Sequence, residues 1–115
     1  MTAVIEVRTY RTTPGSRETL IEAMLTRSFP VLRDIGMKAL GPFPSRDDED
    51  TSVWLRAFPD AASRSPMKDA FYGGDLWLEE LEAELRPLIA GHESVLVEDL
   101  VGLWEVWPDT PSDGQ

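Results

Sequence analysis

Two kinds of periodicity alternate along the chain and divide it into strands and helices. Residues 4–10 alternate between faces and are rich in β-branched side chains, which predicts a first strand. After a Pro-Gly turn, apolar residues recur at helical spacing up to Leu32. Pro30 is expected to kink or restart this helix, and Gly36 is a natural C-terminal cap.

The rest of the chain adds two strands, a helical region and a last strand. We expect strands at 37–43 and 51–58, joined by a short polar hairpin loop. A helix at 61–71 ends before Gly73-Gly74, and a longer helical stretch then runs to Gly91. The apolar stripe of that stretch consists of Leu78, Leu81, Leu85 and Leu88. A fourth strand is predicted at 92–103.

This order of elements is the split βαβ pattern of ferredoxin-like domains. It predicts an α+β fold, β-α-β-β-α-β, with a four-stranded antiparallel sheet and the helices on one face. The first and third strands are then central neighbours. Since 115 residues correspond to about one domain, we expect a domain at 1–104. The extension at 105–115 is rich in Pro, Asp, Ser and Gly, which predicts disorder.

The predicted sheet is apolar on both faces, although helices cover only one. In the third strand, Val53 and Leu55 oppose Trp54 and Phe58. The fourth strand places Val95, Val97 and Val101 on one side and Leu96 and Leu100 on the other. Burying two such side chains stabilises a protein by ~3–6 kcal/mol, so we expect a homodimer in which a twofold-related copy covers this face. Folding back of residues 103–107, or a different protein, are the alternatives.

Charge and composition exclude several classes of function. The 21 acidic and 11 basic residues give a net charge of -10, which disfavours binding to nucleic acid or to anionic membranes. No cysteine and no metal-binding or phosphate-binding motif is present, so no metal or cofactor is expected. The chain start has no basic stretch followed by an apolar run, and no apolar run approaches ~20 residues. We therefore expect a cytoplasmic location.

Several strings, in order, resemble the NIPSNAP family. They lie at 5–10, 14–15, 41–43, 53–60 and 63–77, and the resemblance extends from about residue 4 to residue 100. It implies the dimeric α/β-barrel superfamily, in which two ferredoxin-like sheets pack face to face. Superfamily relatives include cofactor-independent monooxygenases, muconolactone isomerases and haem-binding enzymes, so the resemblance implies no single reaction. The extension after Leu103 departs from the family pattern.

Charged and aromatic side chains share faces of two strands that should be neighbours. They are Glu6, Arg8 and Tyr10 on the first strand and Trp54, Arg56 and Phe58 on the third. Guanidinium groups beside aromatic rings suit an anionic or enolic aromatic ligand. The simpler alternative is an ion pair of Glu6 with Arg8 or Arg56, with the rings filling the core or the dimer interface.

A break in the second helical region adds more aromatic side chains. Tyr72 and Trp77 flank two glycines, which permit close backbone approach at a pocket mouth or a simple bend. We predict that Tyr72 and Trp77 line the entrance of a ligand site. His92, the single histidine, is a candidate base, but its position at a strand start is typical of a solvated edge.

The sequence favours a homodimer that binds a small aromatic or polyketide-like molecule in a pocket between sheet and helices, without metal. The residues predicted to orient the ligand are Arg8, Tyr10, Trp54 and Arg56. Whether the protein is an enzyme is left open; an enolate or phenolate stabilised by the arginines is the expected intermediate of any reaction. The alternative is a non-enzymatic dimeric module whose aromatic patch recognises another protein.

Overall fold

Four strands and two helical regions occur in the predicted order in the computed structural model, which describes residues 2–108. The strands are β1 (Val4–Thr12), β2 (Lys38–Pro44), β3 (Thr51–Phe58) and β4 (Ile89–Glu98). The helices are α1 (Arg17–Ala23), α2 (Phe29–Ile35), α3 (Ala61–Tyr72) and α4 (Glu82–Leu85). Two π-helical turns lie at Met24–Ser28 and Trp77–Leu81, and two 3-10 turns at Arg86–Leu88 and Leu103–Val106. No helix in this part of the chain is long and apolar enough to cross a membrane.

The sheet has the strand order β2-β3-β1-β4, and every neighbouring pair is antiparallel. β1 and β3 are the central pair, with Glu6 opposite Arg56 and Arg8 opposite Trp54. The main core lies between one face of this sheet and the helices, and it includes Leu20 and Phe29 from the first helical region. The predicted ferredoxin-like α+β fold is confirmed.

The first helical region changes its winding next to its proline. The π-helical turn Met24–Ser28 directly precedes α2, where Pro30 occupies the second position. Proline has no N–H to donate, so the regular α-helical ladder cannot pass through it unchanged. The helical region continues through Pro30 without a break, so the kink or restart expected there takes the form of a change in winding. Gly36 caps α2 with φ 114°, the left-handed conformation that glycine adopts at little cost.

The second helical region differs from the predicted continuous helix. Leu81 and Leu85 are buried as predicted, but Leu78 is 56% exposed. Leu78 lies inside the π-helical turn Trp77–Leu81, whose wider winding moves it out of the position that it would have in an α-helical stripe. Gly91 does not end this helix, because it lies inside β4.

The fourth strand begins and ends earlier than predicted. β4 stops at Glu98, so Leu100 and Val101 lie in an exposed turn and belong to neither sheet face. The Asp99 carboxylate accepts hydrogen bonds from the backbone N–H groups of Leu103, at 2.8 Å, and Trp104, at 2.7 Å. These bonds start a 3-10 turn in place of further strand.

Residues 99–107, here called the C-terminal strap, fold back over the sheet face that has no helices. Trp107 is buried against Ile5 and Ala57, and its Nε1 donates a hydrogen bond to the Ala39 carbonyl at 3.1 Å. One of the alternatives considered for this face is therefore present. The sequence predicts disorder for the extension at 105–115. Residues 105–108 are part of the described structure, and the buried Trp107 contradicts disorder there. Residues 109–115 lie outside the described residues.

The strap covers only part of this face. An open patch remains on the other side, made of Val7, Phe43, Val53, Val95 and Val97. Val95 is 59% and Val97 40% exposed. The predicted two-faced apolar sheet is confirmed, with part of its second face shielded by the chain itself.

Replacing Trp107 with alanine should destabilise the fold by about 2–4 kcal/mol, because it removes a buried ring and the hydrogen bond that this ring donates to the Ala39 carbonyl. The free energy of unfolding in urea measures the effect. Val106→Ala is the matched control, since Val106 is adjacent in sequence but exposed, and should change stability by less than ~0.5 kcal/mol. Equal effects of the two substitutions would show that the strap does not hold the sheet.

Candidate functional site

The predicted site residues of β1 and β3 all lie on the sheet face that packs against the helices. The antiparallel register places Arg8 beside Trp54 and Glu6 beside Arg56. The two strand faces therefore coincide, as the hypothesis of a single patch required. All four side chains are buried, together with Tyr10.

One carboxylate at the centre of this face holds three guanidinium groups. Glu6 and Arg56 are each 1% exposed, and Arg56 Nε donates to Glu6 Oε1 at 2.8 Å. Arg8 Nη1 donates to the other oxygen, Oε2, at 3.0 Å. Arg64 Nη2, from α3, reaches the same Oε2 at 3.2 Å. The ion pairs expected under the simpler alternative are thus present, and a third arginine joins them.

Each buried arginine also contacts a tyrosine. Arg8 Nη2 donates to Tyr10 Oη at 3.1 Å, and Arg56 Nη1 donates to Tyr72 Oη at 2.9 Å. The guanidinium carbons of Arg8 and Arg56 each lie 5.7 Å from the Trp54 ring centroid. These cation–π contacts and hydrogen bonds fix both guanidinium groups in place.

The charges in this cluster shift the ionisation of its members. Burial raises the pKa of Glu6, but the hydrogen bond and charge of Arg56, followed by Arg64 and Arg8, outweigh burial and lower this pKa to about 2. Burial lowers the pKa of Lys68, and repulsion from Arg64 and Arg56 adds to that effect. Positive potential therefore dominates on the α3 side of Glu6.

Sequence reasoning missed Arg64 and Lys68, although a signal exists. Arg64, Lys68 and Tyr72 follow one another at intervals of four, which places them on one face of α3. The same face carries the Tyr72 hydroxyl to Arg56. A search for cationic residues one and two helical turns before Tyr72 would have found both.

Two neighbouring cavities, which share part of their lining, lie beside the cluster between the sheet and the helices. The inner cavity has a volume of about 40 Å³, and Trp54 and Arg56 form part of its otherwise mostly apolar lining. The outer cleft has a volume of about 330 Å³, and Arg8 forms part of its wall. The side chains that line both are Tyr10, Tyr72, Trp77 and Ile89. All six predicted site residues thus line one cavity or both.

The helix break shapes the wall that the two cavities share. A side chain on Gly73 would place its Cβ 2.9 Å from the Asp69 carbonyl oxygen, closer than real structures allow. Glycine therefore permits the tight end of α3. After this bend the Trp77 ring packs edge-on against Tyr72, with 5.1 Å between centroids.

The rim of the outer cleft contains two residues outside the predicted ligand set. Arg86 lines it from the 3-10 turn before β4, and His92 lines it from β4. The His92 ring meets Tyr10 edge-on, with 6.3 Å between centroids. Between residues 2 and 108, no group of three or more His, Asp or Glu side chains is placed to hold a metal ion.

Solved structures of NIPSNAP-domain proteins share this fold. A NIPSNAP-like domain protein from Burkholderia xenovorans aligns with a TM-score of 0.75 at 15% identity, over 95% of this chain and 91% of its own. A NIPSNAP family protein of unknown function from Agrobacterium tumefaciens aligns with a TM-score of 0.73 at 21% identity, over 84% of this chain and 87% of its own. A candidate antibiotic biosynthesis monooxygenase from Nitrosomonas europaea aligns with a TM-score of 0.69 at 14% identity, over 86% of this chain and 91% of its own.

No protein-family model matches the sequence, and no curated protein matches it either. The structural matches lie below 25% identity and therefore establish the fold alone. The chain is NIPSNAP-like in fold, so the resemblance seen in its sequence strings is confirmed at that level.

Acidification should test the ion pairs of Glu6. Because its pKa falls from an ordinary 4.5 to about 2 in the folded protein, its contribution to stability is complete above pH 4.5 and is lost as pH falls towards 2. The loss should be about 3 kcal/mol. An NMR titration of the Glu6 carboxyl, with urea unfolding at pH 5 and pH 2.5 (about the two ends of this range), measures both quantities.

In the Glu6→Gln variant, the free energy of unfolding should lack the part of its pH dependence that comes from Glu6. The Glu79→Gln variant, changed at an exposed helical position, should retain that part. A Glu6 titration midpoint near 4.5 would contradict the assigned charge network.

Proposed function

We propose that the protein forms a homodimer and that each subunit binds a small aromatic or polyketide-like molecule, without metal, between its sheet and its helices. The observation that carries this proposal is the pair of neighbouring cavities, in which aromatic rings line both and arginines line each. The cytoplasmic location expected from the sequence stays a prediction.

The aromatic wall suits a flat ligand. Tyr10, Tyr72 and Trp77 border both cavities, so a ring placed at their junction contacts all three. Aromatic pairs contribute ~0.5–1.5 kcal/mol beyond the burial of their surface. The inner cavity, at about 40 Å³, accommodates only a small substituent, so the body of the ligand belongs in the outer cleft.

The arginines suit an oxygen that carries negative charge. Arg56 is held by Glu6 and Tyr72 before any ligand arrives, so its positive charge needs no rearrangement to act on a ligand in the inner cavity. Charges fixed in this way stabilise an enolate or phenolate better than mobile ones do. Arg8 supplies a second such charge at the wall of the outer cleft.

The open patch supports the homodimer. A contiguous exposed patch of apolar side chains is typical of a protein–protein interface. Burying Val95 and Val97 in such an interface stabilises a dimer by ~3 kcal/mol or more. The local charge on this face does not oppose a second copy there. Chains of net charge -10 repel one another, but the charged pair at the edge of this face, Arg11 and Glu93, is neutral overall, with 3.7 Å between charged atoms.

The alternative function is a non-enzymatic dimeric interaction module. The exposure of Leu96, a large apolar residue at the edge of the sheet, favours it. An edge strand offers unpaired backbone groups to another chain. Ligand binding distinguishes the two functions, because an interaction module needs no occupant in the cavities.

Ligand binding is tested by screening phenolic and polyketide-like compounds with native mass spectrometry and thermal shift. Trp77→Leu should weaken any ligand found by about tenfold, since it removes one aromatic wall of the site. Trp104→Leu makes the same change on the opposite sheet face and should leave the affinity unaltered. If no compound shifts the mass or the melting temperature, the ligand-binding proposal fails.

The homodimer is tested by sedimentation equilibrium at micromolar concentration. Val95→Glu places a charge in the open patch and should convert the dimer to a folded monomer, because an unpaired charge in an apolar interface is costly. Leu78→Glu, at a similarly exposed apolar residue on the helical side, should leave the dimer intact. A wild-type protein that sediments as a monomer would refute the dimer.

A further inference from the structure

The outer cleft is a cationic region in an acidic protein. Two arginines and a histidine line it, namely Arg8, Arg86 and His92, and none of its lining residues is acidic. The chain as a whole carries a net charge of -10. A cleft lined by one sign of charge concentrates ligands of the opposite sign, so its electrostatics select anions that the rest of the surface repels.

The positive charge behind the cleft wall is only partly balanced. Glu6 is the single carboxylate shared by Arg8, Arg56 and Arg64. Among residues 2–108, two positive charges in this network therefore have no acidic partner of their own. The lowered pKa of Lys68 has the same origin in part, since Arg64 and Arg56 repel its charge. Buried charge without a partner is costly, and a bound anion would reduce that cost.

Hydrogen-bond donors in this region are also left over. In the described part of the chain, Arg8 Nε and Trp54 Nε1 are buried and have no hydrogen-bond partner. Both side chains line the cavities. Of the two, Arg8 lines the outer cleft and Trp54 the inner cavity. An acceptor oxygen of a ligand in the outer cleft, entering with a small side-chain adjustment, would satisfy the donor on Arg8.

Arg86 is available at the rim. Its ion pair with Glu82, at 2.7 Å, lies at the surface with the Arg86 side chain 69% exposed. Such pairs contribute only ~0–1 kcal/mol, so Arg86 can exchange Glu82 for a ligand carboxylate at little cost. The planar guanidinium group matches a carboxylate with two parallel hydrogen bonds.

We propose that the outer cleft is a site for small aryl or acyl carboxylic acids. The carboxylate is held by Arg8 and Arg86, with His92 beside it, and the apolar body lies against Tyr72 and Trp77. This inference rests on the proposed ligand-binding function and narrows its ligand class. A monoanion fits better than a dianion because Arg8 and Arg86 are the arginines that line the outer cleft, whereas Arg56 and Arg64 do not line it, and Glu6 already balances part of the charge of Arg8.

Isothermal titration calorimetry with phenylacetate, phenylacetamide and phenyl phosphate tests the ligand class. Phenylacetate should bind about tenfold more tightly than the isosteric amide, or more tightly still, because the neutral amide makes no charge-assisted contact with Arg8 or Arg86. Raising the salt concentration to about 0.3 M should weaken the binding of phenylacetate and leave the affinity for phenylacetamide unchanged. Phenyl phosphate should bind no more tightly than phenylacetate.

Two substitutions test the location. Arg86→Gln should lower the affinity for phenylacetate about fivefold and leave the affinity for phenylacetamide unaffected, because only the charged carboxylate loses a partner. Arg46→Gln makes the same change of charge in the exposed β2–β3 loop and should leave the affinity for phenylacetate as in the wild type.

Equal affinities for the acid and the amide would overturn the carboxylate class while leaving the ligand-binding function intact. Tighter binding of phenyl phosphate would also overturn it. Equal effects of the two substitutions would refute the location in the outer cleft. If none of the three compounds binds, this inference fails, and the separate screen of phenolic compounds decides whether the wider function fails with it.

Discussion

The structure depends on one buried carboxylate. Glu6 lies in a central strand under the helices, where an isolated charge would be too costly to keep, and three guanidinium groups compensate it. Because these groups come from β1, β3 and α3, the ion pairs join the sheet to the second helical region. The same bonds hold Arg8 and Arg56 in fixed positions beside the cavities. Stability and the geometry of the candidate site thus have a common origin.

The two faces of the sheet are covered in different ways. Helices cover the face that carries the charge cluster, and their π-helical turns contribute Met24 and Trp77 to the cavity walls. On the other face the C-terminal strap buries Trp107 against part of the sheet and leaves the open patch uncovered. A second subunit on the open patch would complete a two-layered sheet, while the cavities would remain accessible from the helical side.

Much of the fold follows from local patterns. Alternation in β1 and β3, the glycine cap at Gly36 and the order of the elements are all legible in the sequence, because each depends on residues that are neighbours along the chain. The errors occur where winding changes. The π-helical turn at Trp77 moves Leu78 to the surface, and the Asp99 carboxylate turns the chain out of β4 before Leu100. Neither effect has a periodic signature.

For the candidate site, the sequence by itself determined which side chains share a face, since strand alternation places Glu6, Arg8 and Tyr10 on one side. It also determined that both faces of the sheet are apolar. Only the tertiary structure decided that Arg64 joins Glu6, that the cavities open beside Arg8, and that the strap returns to the sheet. Those features bring together residues far apart in the chain, and their positions depend on how helices pack and turn in three dimensions.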